Sequence, residues 1–424
     1  MLFRILFILF FIISYKFIPV FEPIGVNYLL SLLILGSICY ETYKIWKKLS
    51  LKFDNKITIQ KIGYLTLIIC VSITIILNIH KDFPAGNIRY LRALFILKTI
   101  ILGGKIMKEL SNTSLSNFIK NTVLIVFSTL SFIAIIEICF MFVSLSHGSG
   151  EAYSGKIWGK KYWNPINNLG YRDEQPNKNE NTVFFIGDSF TAGWGVKDIQ
   201  DRFGETAAIE LNKKGKKINE INLGRYGADT RLEFHLFEKF ISKTGIKPKQ
   251  IVLQFFVNDV DKFIPKNKKC TTIPINIPRW KKIILEGSYL ANYLNSLYPS
   301  GYTNYKTLSE CEYTEQLKLV YSTDTLWRKE ECQLNKFKTY CIENKIPLTI
   351  IFFPFMEDLT LAKKLNIENR ITNYCIQNNI KLVNVTDLIS NLPREKRQVS
   401  ITDSHASAEV HKIAGKKLAS LIKI

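Results

Sequence analysis

Long apolar runs dominate the first third of the chain, whereas the remainder alternates short apolar segments with polar ones. A membrane-spanning helix needs ~20 mostly apolar residues. The N-terminal run, residues 5–20, predicts either a span or the apolar part of a signal peptide, and the absence of a small-residue cleavage site after it favours the span. The runs that meet the length requirement readily are residues 26–43, 62–79 and 122–143.

Residues 88–104 form a fifth candidate span, in which Arg89, Arg92 and Lys98 interrupt the apolar residues. This pattern predicts either a span whose basic side chains face protein or an amphipathic helix in the membrane interface. Glu137, within the run 122–143, is costly in lipid and is therefore expected to face another helix.

Lysine-rich loops decide the expected orientation. The loops over residues 44–61 and 105–120 are both expected in the cytoplasm, and they lie on one side only if residues 88–104 cross the membrane. We therefore predict an all-α, multi-span transmembrane region of about five helices over residues 1–146. Its N-terminus is expected in the cytoplasm, and the C-terminal domain outside it, at the cell membrane.

From residue 164 onward, apolar segments of strand length alternate with longer segments of helical periodicity. Such alternation predicts a flavodoxin-like three-layer α/β/α domain with a parallel sheet over residues 164–424. A linker over residues 147–163 is expected before it, and the irregular stretch 261–325 is an expected insertion. The candidate strands are residues 182–186, 218–223, 250–257, 348–353 and 380–385. The candidate helices are residues 202–214, 230–243, 326–344, 361–378 and 407–422.

The formal net charge of +21 fits a nucleic acid, an anionic membrane surface or an acidic glycan as a partner. No nucleic acid is expected, because zinc-finger spacing, RNA-binding aromatic motifs and basic heptad arms are missing from the sequence. None of the 8 cysteines forms a CxxC pair, so zinc is not expected. No other metal and no cofactor are expected either. A disulfide between Cys270 and Cys311 is one option outside the cytoplasm. The connectivity and the oligomeric state stay open.

Four short motifs occur in the C-terminal domain, three of them at the ends of candidate strands. They are Gly187-Asp188-Ser189-Phe190, Asn222-Leu223-Gly224-Arg225-Tyr226-Gly227, Val257-Asn258-Asp259 and Asp403-Ser404-His405. In this order they resemble the blocks of the SGNH (GDSL-like) hydrolase superfamily. A further segment, Asn167-Asn168-Leu169-Gly170-Tyr171-Arg172-Asp173, has the pattern Asn-x-x-Gly-Tyr-Arg-Asp and resembles the membrane-attached bacterial members. The third block departs from the pattern, since Phe256 stands where glycine is usual.

A serine hydroxyl is a poor nucleophile unless a base removes its proton. The resemblance implies that Ser189 is the nucleophile, that His405 is the base and that Asp403 orients the imidazole. It also implies an oxyanion hole made by the backbone N–H groups of Ser189 and Gly227 and the side-chain amide of Asn258. Glycine at position 227 suits a backbone that approaches a ligand closely.

Each of these residues also has a structural interpretation. Ser189 could cap the helix after its strand, and Asp403 could cap the final helix. His405 could be a surface histidine at a helix start, and Asn258 could be a turn residue. The chain has only 5 histidines, and this scarcity favours His405 as the base. The histidines expected to be structural are His235 and His411.

The predicted function is that of a serine-dependent ester hydrolase or O-acyltransferase, acting on acyl groups, acetyl in particular, of cell-envelope polysaccharide. Its expected partners are the lipid bilayer and an acylated glycan or lipid substrate. The alternatives are a lipid esterase resembling a lysophospholipase and a non-catalytic glycan-binding component of an envelope assembly system. In the insertion, Trp280, Tyr289 and Tyr293 could stack on sugar rings or pack in the core of a helical lid.

Overall fold

A computed structural model describes residues 88–111, 116–148, 152–178, 181–265, 272–274, 278–297, 305–307 and 313–423. The predicted spans at residues 5–20, 26–43 and 62–79 and the suggested Cys270–Cys311 disulfide lie outside these residues. The chain divides into two compact units. The helical unit is drawn from Met1–Val143 and Pro278–Tyr293, and the sheet unit is drawn from Ser144–Ile277 and Leu294–Ile424.

The helical unit begins with α1 (Ile88–Ser111) and α2 (Asn117–Phe140). Among the residues that the structure describes, α2 is the one helix long and apolar enough to cross a membrane, with a mean hydropathy of 2.5. Its 24 residues extend ~36 Å. Glu137 is buried and pairs with Arg92 of α1 at 3.1 Å, which confirms that this carboxylate faces another helix. The multi-span topology stays a prediction.

The remaining elements are numbered in chain order. The strands are β1 (Thr182–Gly187), β2 (Asn219–Gly224), β3 (Gln250–Phe255), β4 (Thr272–Pro274), β5 (Tyr305–Thr307), β6 (Leu348–Phe352), β7 (Lys381–Asn384), β8 (Gln398–Ser400) and β9 (Asp403–Ala406). The helices are α3 (Tyr153–Tyr162), α4 (Ser189–Ala192), α5 (Phe203–Lys213), α6 (Thr230–Thr244), α7 (Arg279–Gly287), α8 (Tyr289–Ser296), α9 (Tyr313–Ser322), α10 (Asp324–Glu343), α11 (Leu359–Lys364), α12 (Ile367–Gln377), α13 (Val385–Ile389), α14 (Arg394–Arg397) and α15 (Ala408–Ala419). Short 3₁₀ helices cover Ile199–Asp201 and Val257–Phe263.

Five strands form one parallel sheet in the order β2–β1–β3–β6–β7. This is the flavodoxin-like strand order, and the predicted parallel α/β sheet is confirmed. All five predicted strands match the observed strands to within two residues at either end. The sheet places β1 between β2 and β3, so the first three sequence motifs follow three adjacent strands.

Each face of the sheet carries its own hydrophobic core because successive side chains of a strand point to opposite faces. Phe184 and Ile186 of β1 belong to one core, and Val183 and Phe185 to the other. Burial on both faces explains why the whole of β1 is apolar rather than alternating.

Three features differ from the sequence expectations. Predicted helix 361–378 is two helices, α11 and α12, separated at Asn366, whose φ of +64° ends a helical turn. Part of the predicted linker forms the helix α3. This helix is held in place by Trp158, which is buried and contacts the ring of Trp194. The antiparallel hairpin β8–β9, which carries the fourth motif, was not among the predicted strands.

Candidate active site

The structure brings together three residues that the sequence motifs singled out. The His405 Nε2 atom lies 2.9 Å from the Ser189 hydroxyl oxygen. On the other side of the same ring, Nδ1 lies 2.6 Å from Asp403 Oδ1. Ser189 and Asp403 are buried, and the His405 side chain retains 14% exposure. The geometry is that of a serine, histidine and carboxylate relay open to solvent at the imidazole.

Ser189 is held at the first turn of α4 by its neighbours. The Asp188 carboxylate accepts a hydrogen bond from the Phe190 N–H at 2.8 Å, so Asp188, and not Ser189, caps this helix. The Gln254 side-chain oxygen on β3 accepts from the Asp188 N–H at 2.9 Å. A Cβ at Gly187 would lie 2.3 Å from that same oxygen, so only glycine fits before this turn. The capping interpretation of Ser189 is therefore wrong, and its hydroxyl is free for the histidine.

The surroundings of Asp403 favour its charged carboxylate form. Its Oδ1 also accepts the His405 backbone N–H at 3.2 Å, which fixes the loop between the two residues. Burial alone would raise the pKa of Asp403, but hydrogen bonds from His405 and Ser146 outweigh burial and hold this pKa below its usual range. The cap of the final helix α15 is Ser407, so the capping interpretation of Asp403 is also wrong.

Ser146 is a site residue that the sequence did not indicate. Its hydroxyl donates to Asp403 Oδ2, the carboxylate oxygen that His405 does not use. The Ser146 carbonyl accepts from Thr402 Oγ1 at 3.3 Å, and Thr402 O accepts from the Gly148 N–H at 3.0 Å. A lone serine after an apolar run carries no recognisable signal. Gln254 was also missed, although a glutamine inside an apolar strand marks a buried polar role.

The expected oxyanion residues follow the two strands on either side of β1. Gly227, in the turn after β2, is exposed and adopts a left-handed φ of +69°, which favours glycine. Asn258, in the 3₁₀ helix after β3, lies beside the Asp188 carboxylate and helps to lower its pKa. Burial has the larger effect and raises the pKa of Asp188 to about 6. As donors to a developing oxyanion, Gly227 and Asn258 stay a prediction.

Aromatic rings surround the imidazole. The Phe190 ring lies 5.2 Å from that of His405 and 4.5 Å from that of Phe256, between ring centroids. On another side, Trp194 lies 6.2 Å from His405 and 4.9 Å from Tyr226, which is 48% exposed. Phe256, which stands where glycine is usual, thus packs on a ring that adjoins the imidazole, and Trp194 and the exposed Tyr226 form an aromatic rim on another side.

Other candidate residues lie away from this relay. His411 is fully buried, and burial lowers its pKa to about 3, so it stays neutral and accepts from the Phe203 N–H at 3.3 Å. His235 is exposed on α6. Tyr289 is buried in the helical unit, where Tyr293 packs on Phe140 at 4.8 Å. Tyr289 and Tyr293 therefore pack within the helical unit rather than in a separate core of the insertion.

One group of carboxylates has the spacing of a metal site, namely Asp173, Glu205 and Glu220. The guanidinium of Arg202 pairs with two of the three carboxylates, with Nη2 3.1 Å from Asp173 and hydrogen-bonded to Glu205, and burial raises the pKa of the third, Glu220, to about 8. This arrangement is a buried ion-pair network that ties α5 to the segment before β1. It gives no support for a metal among the residues described.

No family model matches the chain, and no curated protein matches it. Solved structures do match. A lipolytic protein of the G-D-S-L family from Veillonella parvula is 12% identical, with a TM-score of 0.34, over 57% of this chain and 97% of its own. An acetylxylan esterase from Geobacillus stearothermophilus is 13% identical, with a TM-score of 0.34, over 58% of this chain and 96% of its own.

A two-domain esterase active on acetylated mannans is 11% identical, with a TM-score of 0.34, over 56% of this chain and 48% of its own. These neighbours include the class of protein that the four motifs resemble.

Proposed function

We propose that this chain is a membrane-attached serine esterase of the SGNH type. The observation that carries the proposal is the pair of hydrogen bonds on one imidazole, to the Ser189 hydroxyl at 2.9 Å and to the Asp403 carboxylate at 2.6 Å. These three groups meet although 216 positions separate Ser189 from His405 in the chain. Their convergence at the carboxyl edge of a parallel sheet, where ligands bind, argues against a role limited to glycan binding.

The proposed reaction follows from these positions. His405 Nε2 takes the proton of the Ser189 hydroxyl while the Ser189 oxygen attacks the ester carbonyl carbon. Asp403 stabilises the imidazolium that forms. The N–H groups of Ser189, Gly227 and Asn258 donate hydrogen bonds to the carbonyl oxygen, on which negative charge develops. The C–O bond to the alcohol then breaks, and His405 returns the proton to the departing oxygen. Water, or a sugar hydroxyl in a transfer reaction, then gives its proton to His405 and attacks the carbonyl carbon of the acyl-enzyme. The bond to the Ser189 oxygen breaks, and His405 returns the proton to Ser189.

The substrate we propose is a short acyl ester, such as acetyl, on a polysaccharide of the cell envelope. Phe256, packed on Phe190 beside the imidazole, leaves little space for a long acyl chain. Tyr226, which is 48% exposed and packs on Trp194, offers a flat aromatic ring to a sugar. A lipid ester is the second candidate, favoured by the apolar and exposed α2.

The location is also a proposal. Multi-pass attachment, a cytoplasmic N-terminus and an extracytoplasmic site are supported by the apolar runs, the lysine-rich loops and the length of α2. The proposed chemistry needs neither a metal nor a cofactor, since the three side chains supply the nucleophile, the base and the orienting carboxylate.

The test uses the full chain in detergent with chromogenic acetyl, butyryl and octanoyl esters. We expect a burst of the chromogenic alcohol and preference for acetyl, with Ser189→Ala lowering kcat by about 10⁴-fold. Ser404→Ala removes an exposed hydroxyl of the fourth motif and serves as the matched control. Activity that survives Ser189→Ala would rule out this nucleophile, and preference for octanoyl would favour the lipid candidate. Added sugar acceptors then distinguish transfer from hydrolysis.

A further inference from the structure

Helix α7 displays a row of exposed apolar side chains. Trp280, Ile283 and Ile284 are spaced one helical turn apart and therefore share a face. Their side chains are 65%, 47% and 48% exposed, respectively. A helix that packs only within a soluble protein would bury such a row. The apolar face of α7 is thus turned outward.

Basic residues accompany this apolar row. Arg279, Lys281 and Lys282 are all exposed, and the acidic residue of the helix, Glu286, pairs with Lys282 at 3.7 Å. An apolar face that contains tryptophan, beside lysine and arginine, is the pattern of a helix that lies in the headgroup layer of a membrane. Its charge complements anionic lipid.

The junction of α7 and α8 is fixed to α2 by a buried carboxylate. Glu137 accepts hydrogen bonds from the Ser288 hydroxyl at 2.7 Å, the Tyr289 N–H at 2.8 Å and the Leu290 N–H at 3.0 Å. Arg92, which pairs with Glu137, also donates to the carbonyl of Gly287, the last residue of α7. The start of α8 is therefore capped by a side chain of the candidate membrane span.

The position of Glu137 sets the depth of α7. Glu137 lies in the last turn of α2, which ends at Phe140. A 24-residue helix of ~36 Å slightly exceeds the ~30 Å hydrocarbon core, so its last turn reaches the headgroup level. Since α7 ends one residue before the cap formed by Glu137, α7 leaves the span at that level.

We propose that α7 is an interfacial helix that inserts Trp280, Ile283 and Ile284 among the headgroups of an anionic bilayer, with its basic residues against lipid phosphates. The inference rests on the membrane attachment in the proposed function and adds a second contact with the same leaflet. This contact holds the helical unit at the membrane surface. The chain then passes from the end of α2 into the sheet unit at Ser144.

The test measures tryptophan fluorescence of the full chain in vesicles of phosphatidylglycerol whose acyl chains carry bromine, a quencher. The wild-type minus Trp280→Phe difference spectrum isolates Trp280 from the other tryptophans. We expect this difference signal to be blue-shifted and quenched, most strongly by bromine near the headgroups and less in phosphatidylcholine. Trp327→Phe is the matched control, because Trp327 is buried in the sheet unit and its difference signal should not be quenched.

Two further measurements separate the possible failures. Resistance of the chain to alkaline extraction from the vesicles reports membrane attachment, and hydrolysis of a soluble chromogenic ester reports an intact sheet unit. A Trp280 signal that bromine does not quench in a chain that resists extraction would overturn the interfacial helix and leave the proposed function standing. A blue shift that depends on protein concentration but not on lipid would instead assign this face to a second copy of the chain and equally overturn it.

Discussion

At the scale of single residues, both carboxylate oxygens of Asp403 accept hydrogen bonds within the candidate site. One carboxylate oxygen accepts from the His405 ring and the His405 N–H, and the other accepts from Ser146. Hydrogen bonds to a charged group are worth about 1.5–3 kcal/mol each, so each of them affects both the orientation and the charge of this carboxylate. We therefore propose that Ser146 is a positioning residue that acts on the reaction through Asp403.

We predict that Ser146→Ala lowers kcat about tenfold and shifts the acid limb of the kcat/KM profile to higher pH. Loss of this donor raises the pKa of Asp403, so the active carboxylate becomes protonated at a less acidic pH. Ser146→Thr, which keeps the hydroxyl, should restore the profile. Ser400→Ala is the matched control, since the Ser400 hydroxyl is hydrogen-bonded to the Ser146 carbonyl and to Thr402 but not to the Asp403 carboxylate. An unshifted acid limb in Ser146→Ala would contradict this role.

Phe256 gives a second prediction at this scale. In Phe256→Ala, the space beside Phe190 is opened, so kcat/KM for butyryl and octanoyl esters should rise relative to acetyl by about tenfold or more. The ratio within one variant is the measurement, because a general loss of activity cancels from it. An unchanged ratio would show that the acyl chain does not lie against this ring.

At the scale of secondary-structure elements, α6, α10 and the 3₁₀ helix after β3 meet around buried carboxyl groups. Glu233, Glu330 and Asp259 are each at most 2% exposed. Burial raises the pKa of Glu330 to about 8, and burial and the neighbouring acids raise those of Glu233 and Asp259 well above their usual range. These elements pack on one another in a mainly protonated, uncharged state below neutral pH.

This packing predicts that stability falls as pH rises. A carboxyl whose pKa is raised on folding binds a proton in the folded state that the unfolded chain releases, so its contribution is lost between about pH 4.5 and about 8. Glu330→Gln removes that dependence, and its loss of stability from pH 5 to pH 8 should be smaller by on the order of 2 kcal/mol. The thermal midpoint of the near-UV circular dichroism at each pH is the measurement.

The matched control for this prediction is Glu238→Gln, which makes the same change at an exposed position of α6. It should follow the wild-type pH dependence. Parallel pH curves for the wild type and Glu330→Gln would mean that Glu330 is not the group that takes up the proton.

At the scale of the whole molecule, the chain divides into a helical unit and a sheet unit, and the proposed topology places the sheet unit outside the cytoplasm. Cys332 of α10 offers a direct test, because it is exposed and is not in a disulfide. We predict that a membrane-impermeant maleimide labels the chain in intact spheroplasts. The Cys332→Ser variant should bind less maleimide by the amount that Cys332 contributes. Labelling of Cys332 only after lysis would place the sheet unit in the cytoplasm.

Much of the sheet unit was predictable from local pattern. The five strands were found because a strand covered on both faces is a short apolar run, and each such run is visible without knowledge of its neighbours. The residues Ser189, Asp403 and His405 were predicted from the resemblance of the four motifs to the SGNH blocks, and the structure brings their side chains together. The hairpin β8–β9 was missed, since Gln398–Ser400 and Asp403–Ala406 are too short and polar to give a strand signal.

The sequence by itself determined the five strands of the parallel sheet and the apolar α2, because these depend on periodicity, and the four motifs singled out Ser189, Asp403 and His405 through their resemblance to the SGNH blocks. The tertiary structure alone decided that Ser146 contacts Asp403 across 257 positions and that Glu137 caps a helix 152 positions away. It also decided which carboxyl groups lose contact with water. The physical reason is that hydrogen bonding and desolvation depend on distances between atoms, and for residues far apart in the chain only the fold sets those distances.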